Sequence, residues 1–336
     1  VLKGNHVYED IMYNPEVKER FLSQFENKQT YDAYKRIFKI SYELENMWSK
    51  DLVDFNLEEI KELLYSLNPL TFAASRSNIS TVKNYIDWGM GYRTITGNIN
   101  PLGGVTKDRK FVSEFVDKNV MLYISKHELD QLTNEDTGCK NAQDGFILSA
   151  LFSGVSVHEI CNLRKKDVDY DDNILHLMDN KGNKRDLKVD RDCIALARKA
   201  ANETEYLKKN GEAELTENQV PITMLVDNEY VIRVAATKNT APMSAVSPHV
   251  IYRRLSTIGE LFENPYLTST NIYRSGQIYM GYLLFKRDQA LDKDQYIEIM
   301  EHYQMPKTKN GKYEFYMWSP LKDWINMENI KRLYDI

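Results

Sequence analysis

The stretch FILSALFSGV, residues 146–155, constrains this chain more than any other. It is apolar on nearly every side, the pattern of a helix buried on all faces. Such a helix has to sit at the centre of a core that other elements complete. Its end is marked in the sequence too. Gly154 closes the run, and Ser156 with Glu159 makes a capping box, so a second helix starts at once. Beyond it, NILHLMDNKGNKRDLKVD sets two alternating segments around NKGNK, a β-hairpin signal.

The first hundred residues read as helical. TYDAYKRIFKISYELENMW puts Tyr34, Ile37, Phe38, Leu44 and Trp48 near one face, and NLEEIKELLYSL puts Leu57, Ile60, Leu63, Leu64 and Leu67 at helical spacing. Asn56 followed by Glu59 marks that second helix's start. A third helix is predicted from Phe72 to Trp88. GNINPLGGVTKDRK has the Gly, Asn and Pro of a linker, which places a domain boundary within 100–115 and gives domains of 1–105 and 106–336. ISKHELDQL then carries a second capping box, Ser125 with Glu128. SPHVIYRRLSTIGELF and TNIYRSGQIYMGYLLF read as two further helices, and the tyrosine-rich EHYQMPKTKNGKYEFYMW comes after them. The last segment, LKDWINMENIKRLYDI, is amphipathic through Leu321, Trp324, Ile325, Ile330 and Leu333. It is a candidate surface for self-association or a regulatory partner. The expected fold is mainly α with a small antiparallel β-sheet, in two domains.

Composition narrows the function classes. No run approaches the 18 or more apolar residues of a membrane span, so no membrane role is expected. The first residues are too charged for a secretory signal. The chain does not open on Met, and we expect it to begin inside its gene product. Cys139, Cys161 and Cys193 form no C-x-x-C pair, so reduced thiols in the cytoplasm are expected, without a disulfide framework or zinc site. His158 beside Glu159 has no further ligand at useful spacing, and neither metal nor cofactor is expected. The net charge of −5 argues mildly against wholesale nucleic-acid binding, but a DNA surface needs positive charge only locally.

A helical domain, an Asn-Pro linker and these boxes in this order resemble the tyrosine recombinase (phage integrase) family. The likeness covers most of the chain and is most specific over residues 122–190. TSTNIYRSGQIYMG is similar to that family's H-x-x-R box, and IMEHYQM to its later histidine box. The resemblance implies a two-domain DNA clamp. It also implies a chemistry in which a tyrosine attacks a DNA phosphorus, arginines and a histidine or tryptophan hold the phosphate oxygens, and a hairpin lysine protonates the leaving oxygen. Guanidinium forks supply the charge, so no metal is needed.

Carried over position by position, the family's first arginine falls on Ser156 and its hairpin lysine on Lys181. The histidine of H-x-x-R falls on Asn271, its arginine on Arg274, and the later histidine on His302. The nucleophile's place falls on Gly311, with Tyr313 and Tyr316 the nearest tyrosines. Serine brings no charge to hold a phosphate. Losing even one neutral oxyanion donor costs about 3–4 kcal/mol in a transition state. Asn271 cannot exchange a proton near neutral pH.

Lost chemistry beside retained basic positions points to a protein that grips double-stranded DNA without cutting it. Lys181, Lys184, Arg185 and Arg274 are expected at phosphates. Candidate groove readers are Ser75, Arg76, Ser80, Lys83 and Asn84 on one helix; Thr30, Lys35 and Arg36 on another; and Tyr252, Arg253 and Arg254 on a third. The expected function is a phage repressor that controls lysogeny by occupying an operator or att-like site, nucleoid-associated in the bacterial cytoplasm. The alternative is a divergent, active recombinase using Tyr313 or Tyr316.

Overall fold

Capping side chains start most helices of the first part of the chain. In the computed structural model, which describes residues 11–93, 99–105, 108–215, 220–236 and 244–336, α1 (Pro15–Leu22) opens on a proline. Asn27 caps α2 (Lys28–Trp48) by accepting from the Thr30 amide. The Asn56–Glu59 capping box opens α3 (Leu57–Ser66), and Thr71 caps α4 (Phe72–Tyr92). The predicted stripes turn inward: Tyr34, Ile37 and Phe38 meet Ile60, Leu63 and Leu64, with Ile79, Val82, Tyr85 and Ile86 from α4, in one core.

A buried charge lies within that core. Lys18 is fully buried and donates to Glu45 at 2.5 Å, with Asp51 3.9 Å away. An ammonium taken out of water needs such partners, because unpaired it would destabilise the fold by several kcal/mol, about 3–5. Periodicity alone gave no sign of this pair.

The chain divides into two units, Val1–Val120 and Met121–Ile336. The linker reading had put the division at 105/106. It falls later because α5 (Arg109–Glu114) and the residue after it send Phe111, Val112 and Phe115 into the first core.

The second unit is built around the helix predicted to be buried on all sides. α6 (Lys126–Thr133) starts on the Ser125–Glu128 box, and α7 (Ala142–Ser153) is buried at every position from Ala142 to Phe152. α8 (Val157–Asn162) begins just past the turn at Gly154. β1 (Val168–Asp169), β2 (Ile174–Met178) and β3 (Lys184–Lys188) form an antiparallel sheet in that order, with Leu175 paired to Leu187 and both buried. α9 (Arg191–Asn202) packs on α7. β4 (Glu205–Leu207) and β5 (Ile222–Met224) make a short antiparallel pair, and α10 (Pro248–Leu261) and α11 (Ser269–Asp288) come next.

α12 (Lys293–His302), the hairpin of β6 (Thr308–Asn310) and β7 (Tyr313–Phe315), and α13 (Met327–Tyr334) complete the unit. The amphipathic C-terminal segment packs on its own domain: Leu321, Ile325 and Ile330 are buried with Ile278 and Ile299. Gly281 of α11 makes this approach possible, because a Cβ there would lie 2.7 Å from the Ile325 side chain. The apolar face read as a partner surface is therefore occupied within its own domain. Among the described residues no helix is long and apolar enough to cross a membrane.

Candidate nucleic-acid interface

The turn between α7 and α8 is set directly by its residues. Gly154 has φ 102°, a backbone conformation that favours glycine, and a Cβ there would meet the Tyr303 ring at 2.6 Å. Ser156 then caps α8. Its hydroxyl accepts from the Glu159 amide at 3.3 Å, while the Glu159 carboxylate accepts from the Ser156 amide at 2.8 Å. The carboxylate also takes Arg185 as a bidentate partner, at 2.6 and 2.8 Å. Burial pushes the Glu159 pKa up, but the Arg185 and Ser156 hydrogen bonds outweigh it and hold the group below its usual value.

Arg185 thus serves the fold. Besides Glu159 it donates to the carbonyls of Gly154 at 2.7 Å and Tyr303 at 3.4 Å, tying β3 to the turn and to the end of α12. Sequence reasoning placed it at a DNA phosphate. The structure gives its guanidinium an acid and two carbonyls instead.

Ser156 and Arg274 come together. Both line one cavity of about 310 Å³, with Val157, Tyr273, Gln277 and Trp324 among its other walls. Arg274 lies 4.4 Å from the Trp324 ring centroid, and the indole N–H donates to Gln277 Oε1 at 2.9 Å. The Arg274 guanidinium also reaches the Tyr123 hydroxyl. No carboxylate ion-pairs with it among the described residues, so its charge remains available to an anion. Trp324 and Tyr273 had not been assigned to this site; the sequence gives no local signal that they face it. Burial first, and Glu159 with it, pushes the Tyr273 hydroxyl up to about 12 despite the opposing Arg185 charge. That direction works against a nucleophilic phenolate.

The other recombinase-like positions lie elsewhere. Asn271 points its amide at the Tyr266 carbonyl, 2.9 Å away, and is not among the cavity's walls. His302 is exposed at the end of α12. Protein crowding around the ring, then the Arg185 charge, lowers its pKa against the pull of Glu298. That direction favours the neutral ring and works against a positive charge at a phosphate. Lys181 is exposed in the hairpin turn, where Asp179 accepts from the Lys181 and Asn183 amides. Lys184 is exposed beside it. Tyr313 is 80% exposed on β7 and Tyr316 stacks under Lys307; neither lines the cavity.

The groove-reader clusters divide by burial. Ser75 and Arg254 are corrections. Ser75 is buried and donates to the Val112 carbonyl at 2.7 Å. Arg254 is buried against Asp144 at 3.4 Å and donates to the Arg233 carbonyl at 2.8 Å. Arg76, Ser80 and Asn84 remain exposed on α4, and Lys83 is half-buried in an ion pair with Asp87. On α2, Thr30 and Lys35 are half-buried, and exposed Arg36 donates to the Leu67 carbonyl at 3.2 Å. Tyr252 and Arg253 are exposed on α10.

These features define a mainly α, two-domain recombinase-like protein in which Ser156 and Arg274 line one cavity. The match to family models is direct: residues 12–91 match the MrpR N-terminal core-binding domain and residues 123–335 the MrpR C-terminal catalytic domain. The chain belongs to the MrpR family. It is 31% identical over 329 residues to the SPbeta prophage-derived uncharacterized protein YopR of Bacillus subtilis (strain 168), covering 96% of this chain and 97% of that one. Among solved structures it is similar to the Tn1549 transposon integrase in complex with transposon right end DNA, at 11% identity and TM-score 0.47, covering 86% of this chain and 90% of that one. It is also similar to a lambda integrase dimer bound to a COC' core site, at 10% identity and TM-score 0.41, covering 89% and 98%.

Proposed function

We propose that this protein is a sequence-specific DNA-binding repressor that holds duplex DNA without cleaving it. One observation carries the reading. In a single cavity Ser156 has its hydroxyl engaged in capping α8, while Arg274 keeps a guanidinium with no acidic partner among the described residues. One charged fork can grip a phosphate. Without the second, and with no activated tyrosine at the cavity wall, the transition state for strand cleavage goes unsupported. Exposed Lys181 and Lys184 supply further phosphate contacts, and exposed residues of α4 and α10 read base edges. Blocking transcription by occupying an operator requires nothing more. The prophage origin of its relative YopR supports a phage setting in which that operator controls lysogeny.

The test uses a nicked duplex drawn from a random-sequence pool by selection on the protein. Retention of the duplex without an SDS-resistant adduct is the expected result. An adduct that disappears in Tyr313→Phe or Tyr316→Phe would establish the recombinase reading instead. No retention at low salt would remove both.

A further inference from the structure

A second concave site lies in the same unit, and neither the recombinase-like chemistry nor the proposed function uses it. β4 and β5 place Tyr206 opposite Thr223, so both project from one face of the pair. One side of α10, spaced by three or four residues, presents Val250, Arg253, Arg254 and Thr257. With Lys208 and Lys209 these residues enclose about 300 Å³.

The charges in this site fall into two groups. Arg254 is neutralised at the floor: it pairs with Asp144, stacks 4.4 Å from the Tyr206 ring, and Asp144 also accepts from the Tyr206 hydroxyl at 2.9 Å. Lys208, Lys209 and Arg253 have no ion pair among the described residues, and no described Asp or Glu lines the cavity. The turn that carries the lysines is held in place. Lys209 and Asn210 both take left-handed backbone conformations, φ 47° and 55°. The Asn210 side chain accepts from the Lys140 amide at 2.7 Å and donates to the Gly138 carbonyl at 2.9 Å. In a chain of net charge −5, this leaves three like charges around one cleft with no acid among the described residues that line it. A cleft of one sign with low-dielectric walls concentrates counter-ions.

We infer that the cleft between α10 and the β4–β5 pair binds a phosphate-bearing anion, with Arg253, Lys208 and Lys209 at the phosphate. The guanidinium supplies a planar fork and the ammonium groups point charges. Val234, Val250 and the Tyr206 ring offer an apolar wall for the rest of the ligand. Ligand pockets span roughly 300–1,000 Å³, so this one takes nothing much larger than a single nucleotide. The phosphate can come from a free small molecule or from the backbone of a bound duplex.

The experiment separates these sources and stands apart from the repressor reading, because its first arm uses no DNA. Calorimetric titration of the whole chain with inorganic pyrophosphate, and then with a nucleoside monophosphate, should show saturable binding. Arg253→Gln and Lys209→Gln should each weaken it about tenfold, and Arg253→Lys should recover part. Circular dichroism of each variant confirms that the fold is kept. In the second arm the same variants are titrated with a random-sequence duplex pool. Unchanged duplex affinity alongside lost pyrophosphate binding assigns the site to a free anion. A fall in duplex affinity, with the salt slope reduced by about 0.9 per lost contact and competition by pyrophosphate, assigns it to the DNA backbone. Wild-type protein that binds neither anion, with duplex affinity unmoved by the variants, overturns the inference and leaves the repressor reading intact.

Discussion

Arg185 and Arg274 are both half-buried, and both stand beside the Ser156 turn, yet their surroundings are opposite. Arg185 has a bidentate carboxylate and two carbonyls. Arg274 has an indole face, a phenol and an open cavity. The first guanidinium is fixed by the fold; the second is held in place with no acidic partner among the described residues. Basic residues around one turn are therefore not equivalent. The neighbours of each, more than its sign, decide whether it can meet a phosphate.

Several substitutions would break or sharpen that contrast. The largest effect is expected from Arg185→Met, which leaves Glu159 buried without its partner. Breaking such a pair costs about 3 kcal/mol, read as a lower urea midpoint. The pH dependence sharpens this. The folded pKa of Glu159 lies below its usual value, so the stabilisation is complete above the unfolded value, about 4.3, and is lost as pH falls through the folded one. In Arg185→Met the acid-side loss should shrink, and equal acid sensitivity in both proteins would show that Arg185 does not hold the carboxylate. Arg274→Ala should reverse the pattern. Its stability should change by no more than about 1 kcal/mol, while duplex binding weakens about tenfold or more with a shallower salt slope. Equal loss in both assays would show that Arg274 is structural too. Ser156→Ala removes the α8 cap and should cost about 1 kcal/mol without altering the salt slope. Ser156→Arg loses the same cap, and in strand chemistry the smallest response of all is expected from it. Restoring the guanidinium alone should yield no covalent adduct on a nicked duplex, because neither Tyr313 nor Tyr316 lines the cavity.

The sequence revealed the scaffold more readily than the site. The all-round apolar run of α7, the three Ser or Asn capping boxes and the NKGNK hairpin are local signals, each fixed by residues a few positions apart. Ser156 and Arg274 were singled out only through the family resemblance, and no local signal said that they share a cavity. What escaped depends on partners far along the chain. Arg254 sits one residue after exposed Arg253 in the same Tyr-Arg-Arg string, and only the helical turn buries one and exposes the other. Ser75 reads as a polar surface residue until α5 brings the Val112 carbonyl to it. Lys18 with Glu45 is 27 residues apart, and Trp324 reaches Arg274 from the C-terminal segment, whose amphipathic pattern said nothing of which residues it would cover.

The Trp324 contact also makes the site optically visible. Of the four tryptophans in the chain, Trp48 and Trp88 belong to the other unit and Trp318 stacks on Tyr296, so only Trp324 lies against the Arg274 guanidinium. Indole emission responds to a nearby charge. A phosphate drawn to Arg274 should therefore shift or quench the intrinsic fluorescence of this one residue, and Trp324→Phe should erase that signal. The chain carries its own unlabelled reporter of whether the cavity lined by Ser156 and Arg274 is filled.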